Sequence, residues 1–315
     1  MKMPIFLPVY HPLKKIVSIE DIKKSGAEGI ITNAYFIYSN EELKKRVLEK
    51  GIKKAFGFEG FVMTDSGAFQ QLSLGQKVTT NEEIVKFQDK LGADVITIFD
   101  EMVFSDESDS QISKKMDANI ERYKEAEKIA RTNTAFVLST AGNEKMMEKY
   151  AKIAEKLNPK YLAFGNFVPP FTMNHNIAGL MRILKKGIEI LKPDYPVHLF
   201  GSGHPDEMGF FVYIGINVFD SANYAIYAEK GIIFTEKGTK KIDRINFNKC
   251  ECDICRNNSI KKMQKDFTLT AKHNLNFCIN EIGIIREKLK ENSLKEYLLK
   301  KSKLNDHLKK AYDEL

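Results

Sequence analysis

The sequence predicts an α/β fold, a (β/α)8 barrel, with a cysteine-rich segment and further helices toward its C-terminal end. Three observations predict it. Short apolar, β-branched runs recur along the chain, amphipathic lysine- and glutamate-rich segments separate them, and a polar residue or glycine follows most runs directly. Strand–helix alternation implies parallel strands joined by right-handed crossovers. About eight repeats over roughly 250 residues fit a closed barrel better than an open sheet.

In chain order the runs are 5–9, 29–32, 61–64, 95–99, 134–138, 161–164, 197–200 and 216–219. Each is short and rich in branched or aromatic side chains, as strands are. Segments 18–25, 81–91, 110–130 and 177–191 carry the helical period between them. Asn33, Asp65, Asp100, Gly165, Gly201 and Asp220 each come directly after an apolar run. In a barrel these positions converge on the C-terminal rim, where active sites form. Asp or Gly after a strand is also ordinary turn chemistry. Three aspartates at three strand ends nevertheless point to a shared acidic cleft.

After Gly231 the pattern changes. Thr235-Glu236-Lys237-Gly238 reads as a hairpin turn, and beyond it stand Cys250, Cys252 and Cys255, then His273. A C-x-C-x2-C cluster with a downstream His supplies three thiolates and one imidazole, a full tetrahedral set for one Zn2+ per chain. A closed set leaves no position for substrate, so the ion is expected to be structural and the chemistry falls to the upstream carboxylates. Leu275, Ile279, Ile282, Ile285 and Leu289 form an apolar stripe expected to pack a helix against the barrel. The expected organisation is a catalytic barrel over 1–235, a zinc-binding segment with its closing helix over 236–290, and a charged amphipathic helix over 291–315. Pro169-Pro170 is expected to shape a rim loop.

Among 315 residues the hydrophobic share of 43% supports a large core. No apolar run is long enough to cross a membrane and no signal-peptide core is present, so a soluble, cytoplasmic chain without a membrane partner is expected. Three clustered cysteines of four suit a reducing compartment, with Cys278 left over as a buried residue. The net charge of +7 is spread over scattered lysine pairs such as Lys53-Lys54 and Lys185-Lys186. Such pairs suit phosphate contact without sequence readout, or simply solubility. A glycoside hydrolase also combines a barrel with paired carboxylates, but it gives no reason for the cysteine cluster, and this chain has no tryptophan to offer a sugar. His198 lies inside an apolar run and reads as a core histidine. His204, before Pro205 in a glycine-rich loop, is expected to orient ribose or phosphate, while His11 and His175 carry no signal.

Asp65-Ser66-Gly67-Ala68-Phe69-Gln70 resembles the D-S-G-[GS]-F-Q motif of the tRNA-guanine transglycosylases. Ile31-Thr32-Asn33-Ala34-Tyr35, residues 196–205 (Pro-Val-His-Leu-Phe-Gly-Ser-Gly-His-Pro) and residues 219–225 (Phe-Asp-Ser-Ala-Asn-Tyr-Ala) resemble segments of the archaeal branch. The cysteine cluster with Lys272-His273-Asn274-Leu275 completes a likeness that runs over most of the chain. The resemblance implies a zinc-containing barrel that replaces guanine in nucleic acid with a 7-deazaguanine, in that branch 7-cyano-7-deazaguanine. It implies Asp220 as the nucleophile on C1′ of the ribose and Asp65 as the general acid/base. It places Asp100 on the polar edge of the base, Phe69 stacked on it, and Ser66, Gly165, Asn166 and Gly201 around the pocket. Crowded aspartates should hold one carboxyl protonated, and a base inside folded nucleic acid must be flipped out to reach it.

The chain departs from the family pattern in three places. Where the family carries V-Q-G-S, residues 136–140 read Phe-Val-Leu-Ser-Thr, with no glutamine in register. Asn166-Phe167-Val168 replaces a small-residue segment, so Asn166 is expected to take over a polar contact. Met102-Val103-Phe104-Ser105-Asp106 replaces a proline-rich loop. Full archaeal enzymes carry further C-terminal domains, and this chain stops shortly after the zinc helix. The expectation is therefore a catalytic chain for tRNA with a separate RNA-binding subunit and homodimer formation as candidate partners. The same exchange on DNA is the alternative, and a non-catalytic nucleic-acid-binding paralogue is the lower one.

Overall fold

A computed structural model describes residues 2–14, 16–68, 70, 79–167, 176–245 and 250–315. Eight parallel strands close into a barrel in chain order. They are β1 (Ile5–Tyr10), β2 (Gly29–Asn33), β3 (Phe61–Asp65), β4 (Val95–Thr97), β5 (Asn133–Leu138), β6 (Leu162–Phe164), β7 (Val197–Leu199) and β8 (Val218–Ser221). The last strand returns to the first, pairing Asp220 with Leu7. All eight expected runs are strands, with ends shifted by one or two residues. Phe99 leaves β4 because its N–H donates to Asn81 Oδ1 (3.0 Å) and not to a neighbouring strand. Ile216 stays outside β8 because its N–H turns back to the carbonyl of Phe211.

The crossover helices Ile19–Lys24, Asn81–Leu91 and Asp109–Ile129 start at capping boxes, Ser18 with Asp21, Thr80 with Glu83 and Ser108 with Gln111. Each box satisfies two otherwise orphaned N–H groups, which fixes where the helix begins. One apolar layer lies between strands and helices, around Phe164, Leu180 and Leu184. A second fills the barrel interior with Ile5, Leu7, Ile31, Met63, Val95, Ala135, Tyr161 and Val218. Side chains alternate along a strand, so two residues further on Asn33, Asp65 and Asp220 face the same interior at its C-terminal end. By the same alternation from Tyr161, Gly165 faces inward too.

The β3–β4 seam has only one register pair, Met63 with Val95. The buried amide of Gln88 bridges it, accepting from Thr64 Oγ1 (2.9 Å) and donating to the carbonyl of Thr97 (2.7 Å).

Beyond the barrel, β9 (Ile232–Thr235) and β10 (Gly238–Lys241) form the expected antiparallel hairpin. Helix Phe267–Lys290 packs against helix Asn223–Glu229 and β1 through most of the expected stripe, with Leu275, Ile282 and Ile285 buried and Ile279 partly so, whereas Leu289, in the last turn, is exposed. Its Arg286 clamps the start of the chain. The guanidinium donates to the carbonyls of Pro4 (2.8 Å) and Lys2 (2.6 Å) and to Glu28 Oε1 (2.6 Å). Arg286→Ala is expected to cost about 2 kcal/mol, the scale of charged hydrogen bonds. The check is a lower urea midpoint at unchanged slope; an unchanged midpoint would mean the barrel closes without this clamp.

The stretch expected as one C-terminal helix is two, Leu294–Lys301 and Asp306–Tyr312. Asn305 separates them: its backbone is extended and its side chain caps Leu308 N–H. The first helix is fastened by the buried ammonium of Lys301, 3.1 Å from both Asp206 Oδ1 and Glu281 Oε2. Among the described residues no helix is long and apolar enough to cross a membrane.

Candidate active site

The sharp turn after β3 begins the site. Gly67 has φ +85°, and a Cβ there would sit 2.3 Å from Tyr35 Cβ and 2.9 Å from Asn33 Oδ1, so glycine alone lets the turn close. The turn is pinned by Ser66 N–H donating to Thr97 Oγ1 (2.8 Å). Ser66 Oγ, expected in the pocket, is buried and accepts from Ala68 N–H (3.4 Å), so it builds the turn. Asn33 Nδ2 donates both to Asp65 Oδ2 (2.9 Å) and to Gln70 Oε1 (2.8 Å), fixing the carboxylate of Asp65. Burial pushes Asp65 up to about 7, and the nearby charge of Asp100 adds to this; the Gly67 amide opposes it, Asp220 raises it further, and Asn33 opposes.

Asp100 sits on a loop held from three sides. Asn81 takes the Phe99 N–H, Asn119 takes Glu101 N–H (2.6 Å), and Arg122 donates to the Phe99 carbonyl (2.6 Å) and to Glu101 Oε1 (2.8 Å). Burial raises Asp100 to about 6, against its own backbone amide and the Arg122 charge. Burial leads at both carboxyls, and only at Asp65 do neighbouring aspartates add to it.

Across the mouth, Asp220 Oδ1 accepts from the Gly201 N–H (2.9 Å) and lies 2.9 Å from His198 Nε2. His198 Nδ1 lies 3.0 Å from the hydroxyl of Tyr161. Asp220 is 7% exposed, Tyr161 3% and His198 0%, so the row runs from the rim into the barrel. Burial, and then the charge of Asp220, lift the Tyr161 hydroxyl far above its ordinary range. His198 is buried as expected of a core residue, but its partner is a rim carboxylate. This pair was not read from the sequence, although alternation from Phe200 puts His198 on the interior face.

Asn166 takes a left-handed conformation (φ +62°) and donates to Ser139 Oγ (2.8 Å), so its polar contact is inside the protein. Gly165 lies where a Cβ would meet Val137 Cγ1 at 2.9 Å. His204, expected to orient ribose or phosphate, packs edge-on against Phe234 and Tyr227 instead and accepts from Asp206 N–H (3.2 Å). Phe69, Val168, Pro169, Pro170 and His175 lie outside the described residues.

Cys250, Cys252, Cys255 and His273 come together with their ligand atoms within 4.8 Å of one another, and can hold a metal ion. His273 Nε2 faces the Phe234 carbonyl at 2.9 Å, leaving Nδ1 toward Cys255 Sγ (3.2 Å) and Cys252 Sγ (3.5 Å). A backbone acceptor behind a ligating imidazole is the usual support of such a ligand, so the donor set fits the group. The surrounding core is small, built on Ile233, Ile242 and Met263.

Fold and site together define a (β/α)8 protein with carboxylates gathered at the C-terminal mouth and a Cys3His cluster beside it. A model described as queuine tRNA-ribosyltransferase matches residues 1–307. The chain belongs to that family. It is 33% identical to the tRNA-guanine(15) transglycosylase of Methanosarcina mazei over 99% of this chain and 65% of that protein. The protein of the same name from Pyrococcus furiosus is 31% identical over 100% of this chain and 54% of its own length. The chain thus spans between about half and two thirds of these relatives.

Proposed function

We propose that this chain exchanges a guanine of tRNA for a 7-deazaguanine, 7-cyano-7-deazaguanine in the first instance, by double displacement. One observation carries the reading: Asp65, raised to about 7, faces the same mouth as Asp220, whose Oδ1 is fixed by two donors. Asp220 attacks C1′ of the ribose, forming an O–C1′ bond as the C1′–N9 bond breaks and its electron pair leaves with guanine. Asp65 in its protonated form gives that pair a proton. The resulting carboxylate then takes a proton from the incoming base, which displaces Asp220 from C1′. An oxocarbenium-like transition state suits a carboxylate nucleophile paired with a carboxylic acid. Asp100 binds the polar edge of the base.

The test is uptake of radiolabelled guanine into matched samples of bulk tRNA and double-stranded DNA. Uptake into tRNA alone supports the reading; uptake into DNA alone replaces the substrate, and label in neither overturns the exchange.

Zn2+ is the ion proposed for Cys250, Cys252, Cys255 and His273, where it supplies folding energy and no chemistry. Among the described residues the apolar core beside it has three buried side chains with Ile245, Ile254, Ile260 and Leu269 partly buried against them, too little to hold the segment alone. Chelation, or Cys252→Ser, is expected to unfold the hairpin–knuckle region, read as lost amide protection over 232–273. Full protection in metal-free protein would show that the segment holds itself.

A further inference from the structure

We infer that Tyr161 and His198 form a positioning relay beneath Asp220, holding one carboxylate oxygen still so that the other meets the ribose. The inference rests on the base-exchange reading and adds two residues to it. Both side chains stand in a barrel interior otherwise filled by Ile5, Leu7, Ile31, Met63, Val95, Ala135 and Val218. Polar groups there are costly unless each hydrogen bond is made. Here each is: Tyr161 Oη lies 3.0 Å from His198 Nδ1, and His198 Nε2 lies 2.9 Å from Asp220 Oδ1.

The order of donors follows from what each atom can do. An ionised carboxylate only accepts, so the proton between His198 and Asp220 belongs to Nε2. Among the described residues the Tyr161 hydroxyl has two neighbours, Nδ1 and the weak acceptor Met63 Sδ at 3.8 Å. The relay assigns the hydroxyl proton to Nδ1, the stronger acceptor, and the imidazole proton to Nε2. Asp220 Oδ1 receives a second bond from the Gly201 amide, while Oδ2 accepts none among the described residues. Two donors on one oxygen stop the carboxylate from rotating and single out Oδ2 for attack. In the second displacement the same donors stabilise the carboxylate as it leaves C1′. No proton moves along the relay in either step.

The experiment captures the covalent RNA–protein adduct on denaturing gels, using the full chain and an unmodified tRNA transcript in single turnover. His198→Phe is expected to slow adduct formation at saturating RNA about 100-fold, the cost of a misplaced reacting atom. His198→Gln keeps an N–H donor and is expected to recover to within about tenfold of wild type, and Tyr161→Phe to lose about tenfold, the scale of one hydrogen bond. RNA affinity should stay put, and although His198→Phe strands the Tyr161 hydroxyl and should melt lower, its rate loss should persist well below its melting temperature. Rates equal to wild type in both His198→Phe and Tyr161→Phe overturn the relay. So does a loss in which Gln is no better than Phe and RNA binding or melting falls in step, since that assigns both residues to packing. Tyr161→Phe removes one oxygen and keeps the test open if His198→Phe does not fold. Imidazole nitrogen NMR needs no RNA: a neutral Nε2–H His198 supports the relay, and an Nδ1–H tautomer or an imidazolium overturns it. Failure of the exchange reading looks different, as a wild-type chain that forms no adduct or an Asp220→Ala chain that still forms one.

Discussion

Asp220→Ala is expected to abolish the covalent RNA adduct and to lower base exchange by about 10⁴- to 10⁶-fold, the range for losing a nucleophile that works as part of a unit. The reason is local. Asp220 stands with Oδ1 held by the Gly201 amide and His198, and alanine leaves no atom to reach C1′. Asp220→Asn separates shape from charge: it fills the same space with a group too weak to attack. The fold should survive both changes, since the residue sits at the rim of an interior already packed by Leu7 and Val218. An adduct that persists in Asp220→Ala would move the nucleophile elsewhere.

The second large effect is at Asp65. Its carboxyl is held near 7 by burial first and the Asp100 charge next, so the acid needed to release guanine is present below that pH. The rate of the first displacement should fall as pH rises through about 7. Asp65→Asn should lose about 10²- to 10⁴-fold, the usual share of a general acid, and with it the alkaline limb. Stability should move the other way. Because the folded pKa of about 7 exceeds the ordinary 3.8, the folded chain holds more protons than the unfolded chain between those values. The stability linked to Asp65 is therefore present below about 3.8 and is lost as pH rises through about 7. Asp65→Asn removes the buried charge, so above pH 7 the variant should be more stable than wild type although far less active. Urea midpoints at pH 5 and pH 8 measure this; a wild-type midpoint that rises between them would show that Asp65 ionises normally in the folded chain.

Much of the barrel was legible because strand signals are local: branched runs 61–64 and 134–138 declare themselves without reference to any partner. The strand-end aspartates were legible for the same reason, since position after a run fixes the rim. The relay was not. Tyr161 opens into β6 while His198 and Asp220 lie on β7 and β8, and their contacts depend on the register between these neighbouring strands, which no single run reveals. Taken alone, a tyrosine opening one run and a histidine inside another read as packing. His204 misled in the opposite sense: a glycine-rich loop suggested the mouth, but the hairpin supplies Phe234 as a ring neighbour, and no local pattern announces that contact. The split of the C-terminal stretch at Asn305 shows the same limit, because charge and amphipathic period continue across the break while the capping side chain decides it.

The clamp at Arg286 and the seam between β1 and β8 bear on how the protein is made. β1 is made before the other seven strands of the barrel, and one of its edges finds β2 early. Its other edge waits for residues 218–221, and Lys2 and Pro4 wait longer still, for Arg286. Until then the nascent chain carries an apolar strand with an open edge, the template on which chains associate wrongly. The barrel is thus completed by joining its first strand to its last, and a pause in synthesis before residue 286 would hold it with that edge unfastened.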